Sequence, residues 1–197
     1  MELQHVNVKL YVDGDLAVEL VRFIEVFHQW IRDSILDELL IDVADYRHVP
    51  DGPGVLLVGH EADYSMDQTD GRVGLRYNRK APVEGSNEDR FRQAFASAAR
   101  ACRLLEDRFA DDGPLRFSRQ EFELFINDRA LAPNTGETFA ACKPQIESFL
   151  TATLGHSDFS LERRAAKRSR FGVHVTVAEA FDLDAIAATL KSSASSG

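Results

Sequence analysis

A chain of 197 residues with 44% hydrophobic residues is long enough for one large domain, or for two small halves that share a core. Its formal net charge of −9 argues against a nucleic-acid partner, because proteins that grip phosphate backbones collect Lys and Arg. The two cysteines, Cys102 and Cys142, stand far apart on apolar faces of predicted helices, which excludes a disulfide framework and points to a reducing, cytoplasmic setting.

The opening "MELQHVNVKLYV" has no basic segment leading into an apolar run. No apolar stretch nears the roughly 20 residues that cross a bilayer, so neither export nor a membrane partner is expected. Val6 to Asp15 alternates apolar and polar residues and ends in Asp and Gly, which predicts a strand and a turn. A helix is predicted over Leu16 to Asp33, with Asp15 as N-cap, because Leu16, Leu20, Phe23, Ile24, Phe27, Trp30 and Ile31 recur at helical spacing. Three strands follow, Glu38 to Val49, Val55 to Asp67 and Arg72 to Lys80, joined into an antiparallel meander by the turns "PDGPG" and "TDG". Ser86 to Phe109 is a second helix with a Ser-x-x-Asp start and a face of small residues that allows close packing on a sheet.

The second half opens on "EFELFINDRALA", which matches "VKLYVDGDLA" in residue type, and continues into a helix from Asn134-x-x-Glu137 towards Leu154 with a kink or restart at Pro144. Further on, "GVHVTVAEA" sets beside "GVLLVGHEA", matching at Gly54/Gly172, Val55/Val173, Glu61/Glu179 and Ala62/Ala180. The shared order of strand, helix, strands and helix predicts an α+β fold of antiparallel sheets covered by helices. It would be built as two degenerate β-α-β-β-(β)-α halves, 1–112 and 113–191, sharing a core, with a disordered tail at 192–197.

Pairing the meander about Asp51 and Gly52 sets Asp42, Tyr46 and His48 on one sheet face with Val58, His60, Ala62 and Tyr64, and the next hairpin adds Tyr77 and Arg79. Asp42, His60 and Arg79 are then the candidate catalytic set: His60 as general acid or base, Asp42 orienting it, and Arg79 holding an anionic substrate. Tyr46, His48, Tyr64 and Tyr77 would line the ligand. The opposite face carries Asp45, Arg47, Glu61, Asp63, Arg76, Asn78 and Lys80, an alternation of opposite charges. A histidine and a carboxylate on an apolar face also commonly satisfy each other structurally, and a one-residue slip of register would disperse the group.

His48, His60, Glu61 and Asp63 are ligand types, but no spacing among them matches a metal site, so no metal is expected. No Gly-x-Ser-x-Gly elbow is present, and the glycines of "GPGVLLVGH" lead into a strand, whereas those of a phosphate loop leave one; no cofactor is implied. The basic run "ERRAAKRSR" supplies a candidate partner-binding set, Arg163, Arg164, Lys167, Arg168 and Arg170, which a charged hairpin tip guarding a sheet edge would also explain. The thirteen phenylalanines mostly follow helical spacing and read as core, with an oligomer interface as the alternative.

The block "ELLIDVADYRHVPDGPGVLLVGHEADYSMD" resembles uncharacterised bacterial proteins of similar length, through most of the chain up to "NDRALAPNT". That resemblance implies no activity and transfers no functional residues. The expectation is therefore a non-catalytic cytoplasmic binding or assembly protein, acting through a sheet face or an oligomer surface on a protein partner or a small anionic ligand. The alternative is a small enzyme acting on an anionic metabolite through His60.

Overall fold

The computed structural model describes residues 1–111, 113, 115–164 and 170–193 of the chain. Strand β1 (Val6–Val12) leads to helix α1 (Arg22–Asp33), and then to β2 (Leu40–Tyr46), β3 (Gly54–Gly59), β4 (Ala62–Asp67), β5 (Gly74–Arg79) and α2 (Asn87–Arg108). The second half adds β6 (Phe117–Ile126), α3 (Gly136–Leu154), β7 (Phe159–Arg163), β8 (Phe171–Val177) and α4 (Leu183–Ser193). All eight strands join one antiparallel sheet in the order β2-β3-β4-β5-β1-β6-β8-β7, so the fold class is α+β as the patterning predicts.

The two halves do not make separate sheets. Strand β1 pairs with β5 on one side and with β6 on the other, so the chain's first strand stitches the halves into one layer. Each half runs strand, helix, hairpin, helix, and β5 and β8 flank the central pair symmetrically; β2 and β3 are extra to the first half. The sequence match between Gly54 to Ala62 and Gly172 to Ala180 aligns β3 with β8, which hold non-equivalent places in this order. No alignment of the halves can rest on it.

Three local expectations change for physical reasons. The first helix begins at Arg22, well after Asp15. Val18 is buried between Leu16 and Leu20, and a helix cannot put residues two apart on one face, so this segment enters the core as irregular chain. The strand predicted over Val55 to Asp67 is in fact a hairpin, β3 and β4, turned by two residues, His60 and Glu61. A Cβ at Gly59 would collide with the Ala62 carbonyl oxygen, so the glycine is what lets the strands close so tightly. Helix α3 is capped by Thr135, whose hydroxyl accepts from the Thr138 amide, rather than by Asn134, and it runs unbroken through Pro144. The capping box Ser86/Asp89 forms as predicted, and Ser192 and Ser193 of the expected tail lie in α4, while 194–197 are outside the described residues.

The helices cover one sheet face. Side chains of β1, β5, β6 and β8 that share parity, among them Val8, Leu10, Tyr77, Phe122, Leu124, Val173 and Val175, meet Phe23, Phe27, Phe91, Phe95, Ile146 and Phe149 of the helices in one core. Helix α2 is buried almost all round, with Phe91, Ala94, Phe95, Ala96, Ser97, Ala98 and Ala99 all inside, because α3 and α4 pack on it from above while its small residues sit on β1 and β5. Among the described residues, no helix is long and apolar enough to cross a membrane.

The other face of the sheet carries the alternate residues, and its centre is buried too. Asn7, Lys9 and Tyr11 on β1 are 0%, 1% and 4% exposed. Lys9 Nζ lies 2.7 Å from Asp67 Oδ1 on β4 and 3.0 Å from the Thr69 carbonyl oxygen, which it reaches as a donor. Burial pushes the Asp67 pKa up, but the Lys9 charge and hydrogen bonds from Lys9 and Thr69 outweigh it and hold the carboxyl below the usual aspartate value. Removing one partner of such a pair leaves a buried charge unmatched. Asp67→Ala should therefore destabilise by about 3–5 kcal/mol, and Lys9→Met combined with Asp67→Leu should recover most of that loss, as read by urea unfolding. Because the folded pKa of Asp67 is lowered, its contribution is present above the ordinary aspartate value and is lost as pH falls towards the lowered one, so the wild type should lose more stability on acidification than the double variant.

Candidate functional site

The two-residue turn at His60 and Glu61 decides where the sequence-predicted residues go. Along β3 the core-facing residues are Val55 and Leu57, and along β4 they are Ala62, Tyr64 and Met66, so parity changes across the turn. His60 falls in the turn itself, exposed, held by its backbone N–H donating to the Leu39 carbonyl oxygen at 2.8 Å. Asp42 lies opposite Val58, also exposed, and its Oδ1 accepts from the Val43 amide. Arg79 lies opposite the core-facing Ala62, so it and Asp42 are on opposite faces of the sheet, and no hydrogen bond joins Asp42, His60 and Arg79 among the described residues. Tyr46 and His48 stack on each other at the far end of the β2–β3 hairpin, with ring centroids 6.5 Å apart, away from the two other tyrosines.

The structure does bring Arg79, Tyr64 and Tyr77 together, at one end of the helix-covered face. The rings of Tyr64 and Tyr77 meet edge-on with centroids 5.2 Å apart. Above them lies a cleft of about 200 Å³ lined by Glu38, Glu61, Arg79, Gln93, Ser97 and Arg100, among others. Tyr77 Oη donates to Glu38 Oε1 at 3.3 Å and accepts from Gln93 Nε2 at 2.8 Å; Gln93 Nε2 also donates to Ser97 Oγ at 3.1 Å. Burial raises the Glu38 pKa, and hydrogen bonds from Tyr64 and Tyr77 with the charge of Arg79 offset it only in part. Burial also raises both phenols, and the Glu38 charge adds to the effect. Arg79 Nη1 is 3.0 Å from Glu61 Oε2, and Arg100 Nη1 is 2.5 Å from Asp37 Oδ2.

A second constellation lies across the sheet, on the open face. Here Arg164, just past β7, crosses β8 over Gly172 to reach β6; a Cβ at Gly172 would come within 2.7 Å of Arg164 Cδ and 2.8 Å of the Phe125 ring. The Arg164 and Arg76 guanidinium carbons stand 5.0 and 5.4 Å from the centroid of that same ring. Arg164 pairs with Asp70 and lies 3.5 Å from Glu123, while Arg76 donates to Asn7 Oδ1 and keeps 3.6 Å from Asp67. Arg170 enters β8 half-buried, and no ion pair or hydrogen bond holds its guanidinium among the described residues. Burial, followed by repulsion from Arg76 with lesser repulsion from Arg129 and Arg164, pulls its pKa down to about 10 against the attraction of Asp67. Nearby, Arg72 clamps Glu121 through both carboxylate oxygens, at 2.6 and 3.0 Å, and covers the Tyr11 ring at 3.7 Å.

Of the predicted basic set, Arg164 and Arg170 join this face. Arg163 turns to the loop before α3, donating to Asn134 Oδ1 at 2.9 Å and to the Asn134 carbonyl oxygen at 3.2 Å. Lys167 and Arg168 lie outside the described residues. Arg76 was legible as a charged-face residue from strand alternation, whereas Glu38, Gln93 and Ser97 carry no local signal: a loop and a helix fold them against β4 and β5. Among the described residues, no group of three or more His, Cys, Asp or Glu is placed to hold a metal ion.

His60→Ala should shift unfolding stability by no more than about 0.5 kcal/mol, the range for exposed positions, since only the backbone of His60 is engaged; a larger loss in a denaturant titration would mean the imidazole is structural. A scan of the chain against models of known protein families and a comparison with curated proteins both returned no match.

Proposed function

We propose that the protein is a binding protein that holds an oxyanion, a carboxylate or a phosphate group, on the open face of its sheet between Arg76, Arg164 and Arg170. The observation that carries this reading is the single guanidinium left over beside Arg76 and Arg164. Those two flank the Phe125 ring, Arg164 is paired with Asp70 and lies near Glu123, Asp67 beside Arg76 is already engaged by Lys9, and Arg170 has no ion pair among the described residues. A site that gathers half-buried guanidiniums without enough carboxylate is strained by mutual repulsion until an anion enters, and guanidinium forks match planar oxyanions through paired hydrogen bonds. With a net charge of −9 on the chain, long-range steering does not favour anions, so recognition would act at close range and depend on fit.

The reading makes an unusual demand on Arg170. Arg170→Ala should leave the ligand-free protein at least as stable as the wild type, because it relieves repulsion. It should also weaken binding of inorganic phosphate or succinate at least about tenfold, the worth of one charge-assisted hydrogen bond. Calorimetric titration of both anions into wild type and variant, beside thermal unfolding of each without ligand, checks this. Equal anion binding by both proteins, or a ligand-free variant that is less stable, would remove the basis for the proposal.

A further inference from the structure

Two residues that line the cleft on the helix-covered face each keep one buried side-chain oxygen without a hydrogen-bond partner among the described residues, Glu38 Oε2 and Gln93 Oε1, although Tyr64 and Tyr77 both hydrogen-bond the Glu38 carboxylate. The amide orientation of Gln93 is set by its neighbours. Tyr77 gives its single proton to Glu38 and must therefore accept from Gln93, which places Nε2 towards the phenol and leaves Oε1 facing away. Both of its N–H bonds are then used, on Tyr77 and on Ser97. The charges point the same way. Three carboxylates line the cleft, and the two arginines are committed, Arg79 to Glu61 and Arg100 to Asp37, which leaves Glu38 as the carboxylate without a cation seated on it. What would complete this site is a small group with several N–H donors and one positive charge.

We infer that the cleft is a binding site for a small primary ammonium ligand, whose N–H groups donate to Glu38 Oε2 and Gln93 Oε1 while its charge pairs with Glu38. At about 200 Å³ the space is below the roughly 300 Å³ at which drug-sized pockets begin, so the ligand is small or inserts only an aminoalkyl end. The site is independent of the arginine cluster, which lies on the opposite side of the sheet.

The test uses the whole protein with ethylammonium chloride as the probe and tetramethylammonium chloride as the control, which has the same charge and no N–H. Amide resonances, including the Gln93 side chain, are followed by NMR. Ethylammonium should shift the Gln93 and Ser97 signals in a saturable manner and tetramethylammonium should not. Glu38→Gln should weaken ethylammonium at least about tenfold, as expected when a hydrogen bond to a charged group is lost.

Wild type gives a second readout by pH. The groups facing Glu38 are Asp37 on its own segment, Glu61 in the β3–β4 turn, Tyr64 from β4, Tyr77 and Arg79 from β5 and Arg100 from α2. The phenols stay protonated and the arginines charged across the acidic range, so ethylammonium affinity should fall as pH drops through the raised pKa of Glu38. Identical responses to the two ammonium salts, no response to either, undiminished binding by Glu38→Gln, or affinity that is flat on acidification would overturn the inference and leave the two acceptors to water.

Discussion

Among the described residues four α-helices lie on one side of this sheet, and the make-up of the other side follows from that imbalance. A wide sheet buries the middle of both faces, because long side chains on neighbouring strands close over one another even where no second layer exists. The chain answers at β1, the strand between β5 and β6, with Asn7, Lys9 and Tyr11, each buried and each satisfied by a neighbour: Asn7 by Arg76, Lys9 by Asp67, and the Tyr11 phenol by Glu123, with Arg72 over its ring. An apolar strand in that position would create a sticky face; a charged one without partners would not fold. The roof of the open face is thus made of arginine side chains set over the Tyr11 and Phe125 rings, with Arg72 bound to Glu121, Arg76 to Asn7 and Arg164 to Asp70.

The two candidate sites use the same device on opposite sides. On the open face the guanidiniums outnumber the carboxylates that pair with them, and in the helix-side cleft one oxygen of a carboxylate and one amide oxygen lack donors among the described residues. In each, the residual imbalance is opposite in sign to the ligand that would relieve it. The cost is carried by the core, where α2 brings Phe95 into stacking contact with Phe122 at 4.4 Å and presses its alanine face on β1 and β5.

Much of the fold was legible because burial on one face leaves a simple period. Alternation marked β1, β5 and β8, and the Ser86/Asp89 box marked the start of α2. The failures share one cause: tight local events that leave the hydrophobic pattern looking continuous. "GVLLVGHEADYSMD" reads as one strand because a two-residue turn consumes so little sequence; that turn takes His60 out of the strand, and the parity change across it puts Tyr64 and Arg79 on the helix-covered face while Asp42, opposite Val58, stays on the other. The site was half legible. Tyr64, Tyr77, Arg79, Arg164 and Arg170 were singled out by residue type, but their grouping on opposite sides of the sheet depends on strand order, which no local pattern encodes. Glu38 and Gln93 were missed because an ordinary glutamate and glutamine become chemical features only when a remote tyrosine pair buries them.

The placement of β1 also sets a timetable. Synthesis delivers β1 first, and its pairing with β5 becomes available once Arg79 has emerged, yet its other edge waits for β6, which ends at Ile126. Contacts so distant in sequence form slowly, and an unpaired strand is a template for the wrong neighbour in the interval. During that wait the exposed edge belongs to the strand that carries Lys9, and a lysine is among the residues that blunt stray pairing of strand edges. A lysine that must be buried and matched in the finished molecule thus lies on the strand whose second edge is the later to be covered.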